Sequence, residues 1–204
     1  MILTVSNTKG GVGKTNTAIH IAGYLQHLKP TILIDSDAVR ASFKWSKRGK
    51  LPFTVVDERQ QAKAMRENTY GHIVIDTEGG LAAEPMRELA TGCDLLVIPA
   101  VPEATATDGL LHTLQILEPV KGKARYRVLL NRVRHNRRKQ AEDLRAALVS
   151  MGVPMFNAEI PDLAAFDKAS GEGVLVSDTE HENARRAWEC FEELGKEIET
   201  YVKQ

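Results

Sequence analysis

Cysteine is scarce in this chain. Cys93 and Cys190 are the two present in 204 residues. They lie far apart and form no Cys-x-x-Cys, which excludes a disulfide framework and a thiolate zinc site; they read as reduced thiols of a cytoplasmic protein. Long apolar runs are also missing. No stretch approaches the ~20 residues that span a bilayer, so the sequence offers no membrane-crossing segment. Net charge is absent as well, with 27 basic against 27 acidic residues. A bulk attraction for polyanions is therefore excluded, and only a local concentration of one sign can matter. The six histidines show no metal-ligand spacing, and no Ser/His/Asp order, internal repeat or low-complexity segment stands out. The first strand and loop take up the N-terminus, which leads us to expect no signal peptide. What remains is ordinary globular composition, 43% apolar and 26% charged. At this length it implies one domain, residues 1–204, with a sizeable core.

One stretch organises the rest: Lys9-Gly10-Gly11-Val12-Gly13-Lys14-Thr15. The β-branched run Met1–Val5 precedes it and reads as a buried strand. Asn16 to Leu28 follows with apolar residues at helical spacing. Strand, glycine loop and helix together form a phosphate cradle. Glycines let backbone N–H groups turn toward an anion, and the helix N-terminus adds partial positive charge. Lys14 would neutralise the β- and γ-phosphates, and the Thr15 hydroxyl would take one place on Mg²⁺.

Further strands end in chemistry. Thr31–Asp37 closes on Asp35 and Asp37, where a carboxylate can hold Mg²⁺ or orient an attacking water. His72–Thr77 closes on Asp76, a second Mg²⁺ candidate. Gly79-Gly80 permits a loop that senses the γ-phosphate, and Glu78 is either a loop residue or an added carboxylate. Phe53–Val56, Cys93–Pro99 and Arg127–Asn131 read as strands; Asp108–Leu117, Gln140–Ser150 and Asn183–Lys203 read as helices. Asn131 at a strand end suits either an adenine edge or a turn. Lys121 to Arg145 holds ten basic residues against Glu142 and Asp143 alone. Within it Arg132, Arg134, Arg137, Arg138 and Lys139 are candidates for DNA phosphates, with a solvated helix face as the alternative. The terminal helix carries Glu189, Glu192, Glu193, Glu197 and Glu199 on its polar face. Anionic lipid would repel it, so docking on the core is expected in place of membrane binding. Alternating strands and helices predict a doubly wound α/β fold with a mostly parallel sheet.

The loop departs from the usual pattern, with Thr8 in place of the first glycine and a second lysine, Lys9, at its front. In this it resembles the deviant Walker loop of the ParA/MinD family of dimeric ATPases, small ParA type, and the resemblance covers nearly the whole chain. It implies a P-loop NTPase fold. It implies ATP and Mg²⁺ as cofactors, with weak hydrolysis that a partner stimulates. Lys9, Lys14 and Asp37 would be the catalytic residues. Lys9, Gly10, Gly11, Val12, Gly13, Lys14, Thr15, Asn16, Asn131 and Pro161 would meet nucleotide; Thr15, Asp35 and Asp76 would serve the metal. Lys9 would reach across a homodimer to the partner's ATP. The ATP dimer would bind nonspecific DNA on the nucleoid, and a ParB-like or McdB-like adaptor would couple it to a plasmid or carboxysome cargo. This type lacks an N-terminal helix-turn-helix, and we expect none here. Ala38 stands where the family usually has Pro, and Glu78 replaces the Pro of Asp-Thr-Pro. Alternatives on the same fold are a metabolic synthetase or ligase and a MinD-like regulator.

Overall fold

The structure, a computed structural model, describes residues 1–203. Seven strands form one sheet: β1 (Ile2–Val5), β2 (Thr31–Ser36), β3 (Thr54–Asp57), β4 (His72–Thr77), β5 (Leu95–Ala100), β6 (Tyr126–Val133) and β7 (Met155–Pro161). Every pairing is parallel and the order is β3-β2-β4-β1-β5-β6-β7. Eight helices cover it: α1 (Lys14–Gln26), α2 (Ala41–Arg48), α3 (Gln61–Glu67), α4 (Ala83–Gly92), α5 (Ala104–Leu117), α6 (Arg138–Ser150), α7 (Ala164–Glu172) and α8 (Ala184–Val202). This is the doubly wound α/β fold that the alternation of strand and helix predicts.

Alternation along each strand builds the two halves of the core. In β5, Leu95 and Val97 face the layer of α1, α2, α7 and α8, while Leu96 and Ile98 face that of α4, α5 and α6. Such two-sided burial is why β1 and β5 read as continuous apolar runs. The chain leaves β1 for β2 and β3, returns as β4, then crosses to β5. The order therefore reverses around β1, the place where open α/β sheets bind ligands beyond the carboxyl ends of their strands.

Two elements carry a weak signal in the sequence. α4 buries only Met86 and Ala90, too thin a stripe to register as helical periodicity. β7 ends in proline and is bulged: Val128 pairs with Met155 but Leu130 pairs with Glu159. Its exposed backbone is closed by side chains. Glu197 of α8 accepts from the N–H groups of Asn157 at 2.9 Å and Ala158 at 2.6 Å, and Arg145 of α6 donates to the carbonyls of Phe156 at 2.7 Å and Asn157 at 3.2 Å. α8 docks on the core as its stripe requires, burying Ala187, Phe191, Leu194 and Ile198. Among the described residues no helix is long and apolar enough to cross a membrane.

Candidate functional site

The glycine loop turns between β1 and α1 with Gly11 and Gly13 at φ 76° and 87°. This left-handed conformation strains any residue with a Cβ. A side chain at Gly13 would also meet Asn131 Nδ2 at 2.4 Å. No side chain caps the start of α1 and its first turn carries no acid, so its N–H groups and partial charge remain for an anion. Lys14 is buried, and its Nζ donates to the Lys9 carbonyl at 3.2 Å. Burial lowers its pKa, while Asp76, Asp37 and Glu78 nearby raise it.

The front of the loop is tied to α5 by a network that motif reading misses. Asn7, fully buried, donates from Nδ2 to Pro99 O at 2.8 Å and accepts from Lys9 N at 2.8 Å. Thr113 donates to the same Asn7 oxygen at 3.2 Å and meets the Thr8 hydroxyl at 2.9 Å. Gly109 leaves room for Lys9: a Cβ there would approach the Lys9 Cβ to 2.7 Å. The Lys9 side chain is exposed and its stem lies on this part of α5. Gly80 N donates to Thr8 O at 2.8 Å, joining the Gly79-Gly80 turn to the loop.

Sheet register sets three aspartates side by side, Asp57 beside Asp35 and Asp35 beside Asp76. Each holds a different part of the segment between β2 and α2. Asp57 pairs with Arg40 at 2.7 Å, Asp35 accepts from Phe43 N at 2.7 Å and Asp37 N at 3.1 Å, and Asp76 accepts from the Ser42 hydroxyl at 2.6 Å. Asp37 itself caps the turn, accepting from Val39 N at 2.8 Å. Asp76 is fully buried, and burial pushes its carboxyl up to about 7; the Ser42 and Thr15 hydroxyls partly offset this. Its second oxygen, Oδ1, is buried without a hydrogen-bond partner among the described residues. An orphaned carboxylate oxygen beside Thr15 and Lys14 fits a divalent cation. Both oxygens of Asp35, by contrast, are engaged by backbone N–H groups. Through these bonds Asp35 anchors the β2–α2 turn. Among the described residues no cluster of three or more His, Cys, Asp or Glu side chains encloses a metal site. An ion here would rely on Thr15, Asp76 and ligand oxygens, as Mg²⁺ commonly does with phosphates.

A cleft of about 430 Å³ opens beside the loop, lined among others by Asn16, Trp45, Asn131, Pro161, Leu163 and Phe166. A larger groove of about 750 Å³ lies outside β7, between α6 and α8. Its walls mix arginine with glutamate and it lacks the loop, so the chemistry sits in the smaller cleft. Asn131 is tied to the loop and to its own neighbour. Its Nδ2 donates to Val12 O at 2.8 Å and lies 3.4 Å from the Thr17 hydroxyl, and its Oδ1 accepts from Arg132 N at 3.0 Å. Both amide ends are engaged within the chain.

The five DNA candidates are not free cations either. Arg132 and Arg134 pair with Asp162, Arg134 and Arg137 with Glu103, Arg138 with Glu142 and Glu159, and Lys139 with Asp143. Folding brings Glu103, Glu159 and Asp162 to a stretch whose own sequence holds only two acids. Among the described residues Lys123, Arg125 and Arg127 of the same stretch make no ion pair. Lys123 and Arg125 are exposed.

A parallel sheet that reverses order at β1, with a glycine loop, a buried lysine and an orphaned aspartate at that point, defines a phosphate-loop nucleotide-binding protein. The chain belongs to the CobQ/CobB/MinD/ParA nucleotide binding domain family, whose model matches residues 3–176. It is similar to maintenance of carboxysome distribution protein A of Gloeobacter kilaueensis, 29% identical over 203 residues, covering 97% of this chain and 94% of the relative. It is also similar to protein ParA of Rhizobium radiobacter, 24% identical over 177 residues, covering 81% and 80%. Among solved structures, McdA of Cyanothece in its ATP complex shares the fold, with a TM-score of 0.69, 17% identity and coverage of 95% and 96%.

Proposed function

We propose that this protein is an ATP-dependent ParA-type ATPase that dimerises on ATP, binds nonspecific DNA and positions a carboxysome or plasmid cargo through an adaptor. The observation that carries the reading is the pair of lysines. Lys14 serves its own cradle, whereas Lys9 is exposed, with its stem packed where Gly109 clears a path. A cation at that position suits the phosphates of a second subunit's nucleotide. The names of the carboxysome-distribution and ParA relatives agree with this reading.

Bound Mg²⁺ would neutralise charge developing on the transferring phosphoryl group. Thr15 and Asp76 would hold it. Lys14 would stabilise the β- and γ-phosphates, and Asp37, in the turn beside Lys14, would orient the attacking water. Pro161 and Leu163 would wall the base. On the DNA side, the exposed cations that make no ion pair, Lys123 and Arg125, are better placed to meet phosphates than the paired Arg132 to Lys139 run. A backbone contact of this kind reads charge and not sequence. ATP can drive such a cycle only by favouring the dimer over the monomer, which takes a few kcal/mol of differential binding.

The test is DNA binding on a nonspecific duplex with ATP, ADP or no nucleotide, at two salt concentrations, beside sedimentation of the same samples. Binding and dimerisation with ATP alone, weakened by salt, are expected. Dimerisation without DNA binding in any state would sink the nucleoid part. A small-molecule substrate that accelerates ATP turnover by orders of magnitude would favour a synthetase.

A further inference from the structure

A phosphate loop works when consecutive backbone N–H groups point inward, and something must hold them there. In a trans peptide the C=O and the following N–H point in opposite directions. Fixing a carbonyl to the outside of the loop therefore aims the next N–H inside. Two consecutive peptide planes of this loop are fixed in that way, and by adjacent residues. Asn131 Nδ2 holds Val12 O at 2.8 Å, which aims the Gly13 N–H. Arg132 Nη1 holds Gly11 O at 3.2 Å, which aims the Val12 N–H.

Adjacent residues of a strand normally point to opposite faces and cannot share one target. Arg132 escapes this rule. Its backbone is left-handed, φ 53°, although it is neither Gly nor Asn. Such a conformation is strained for an ordinary residue and persists where surrounding contacts demand it. Here the contacts are visible. Asn131 Oδ1 accepts from the Arg132 N–H at 3.0 Å, and the Arg132 guanidinium is anchored on its far side by Asp162 at 3.4 Å. Arg134 binds the other Asp162 oxygen at 3.0 Å.

From this geometry we infer that Asn131 and Arg132 together splint the phosphate loop, with Asp162 as the anchor of Arg132. Both act on the loop itself. They are positioning residues that keep the anion cradle formed before a ligand arrives. The inference rests on the reading that the loop binds phosphates, and it reassigns both side chains within it.

A ligand without a base separates the possibilities. Binding of inorganic tripolyphosphate and of MgADP is measured by calorimetry on wild type, Arg132→Ala, Arg132→Lys, Asp162→Asn, Asn131→Ala and the Arg132→Ala/Asp162→Asn double variant. Losing a charge-assisted hydrogen bond that orders the loop should weaken binding about ten-fold. We expect that loss for both ligands in Arg132→Ala, a similar loss in Asp162→Asn, and no further loss in the double variant, since Asp162 acts through Arg132. Arg132→Lys should recover only part, because one ammonium cannot hold the fork geometry to two acceptors. Melting of the ligand-free Arg132→Ala protein should stay near wild type.

Full tripolyphosphate affinity in Arg132→Ala would overturn the splint. So would additive losses in the double variant, or a melting loss large enough to account for the affinity change. If Asn131→Ala lost MgADP but kept tripolyphosphate, Asn131 would be a base reader after all. Wild type that binds neither ligand would overturn the nucleotide reading itself, a different failure from variants that bind as wild type does.

Discussion

Asp76 shows what a single buried carboxyl does to the ligand-free protein. Its ordinary pKa is 3.8 and burial raises it to about 7. Between those values the native state keeps a proton that the unfolded chain has released. Stability conferred by the neutral form is therefore lost as pH rises across that window, by a few kcal/mol at most. His20 runs the other way. It is buried between Phe191, Trp45 and Phe166, and its pKa is lowered from 6.5 to about 4, so its contribution is lost as pH falls. The informative quantity is the difference in melting temperature between Asp76→Asn and wild type. It should grow in favour of the variant between about pH 4 and pH 7 and level off above that, while Mg²⁺-dependent nucleotide binding is lost in the variant. A difference that stays constant with pH would refute the assignment. At this scale the sequence was informative where a residue acts through its own type and place, as with Lys14, Thr15 and Asp76. It was silent where the role depends on a partner from elsewhere. Nothing in Leu-Asn-Arg says that Asn131 and Arg132 reach back to a loop more than a hundred residues earlier.

The elements were legible in proportion to their burial. Strands covered on both faces, β1, β2 and β5, announce themselves as apolar runs. The strands closing on Asp35 and Asp76 also set those carboxylates in one row. Asp57, their neighbour, went unnoticed because β3 is four residues long and the pairing that brings Asp57 beside Asp35 is nonlocal. α5 carries a second lesson. Gly109 costs this helix about 1 kcal/mol relative to alanine, which the Lys9 contact accounts for. Gly109→Ala should leave melting temperature level or slightly higher, because the helix gains where the Lys9 stem is displaced. ATP binding by the monomer should persist and ATP-dependent dimerisation should weaken at least several-fold, measured by sedimentation. Dimerisation at wild-type strength would mean that the path of Lys9 along α5 has no part in assembly.

At the scale of the whole molecule, charge counts mislead unless folding is followed. Read along the chain, Lys121 to Arg145 is one basic patch. In three dimensions its second half is neutralised by Glu103, Glu159 and Asp162, whereas in its first half Lys121 pairs with Glu118 and Lys123 and Arg125 make no ion pair among the described residues. Charge reversal at Lys123 and Arg125 should therefore lower DNA affinity and the salt dependence of binding more than reversal at Arg137 and Arg138, which should chiefly cost ion pairs and stability. Equal effects on DNA, with no change in melting, would return the patch to its C-terminal half.

The side chains that close β7 also bear on whether copies of this chain can add to one another edge to edge. An open sheet invites a second molecule to add a strand, and the usual end point is aggregation. Glu197 and Arg145 occupy the N–H and carbonyl groups that such a strand would use, and the bulge turns the remaining ladder out of register. Crowding many copies on one surface then need not lead to fibres. Growth by strand addition is blocked along that stretch of β7.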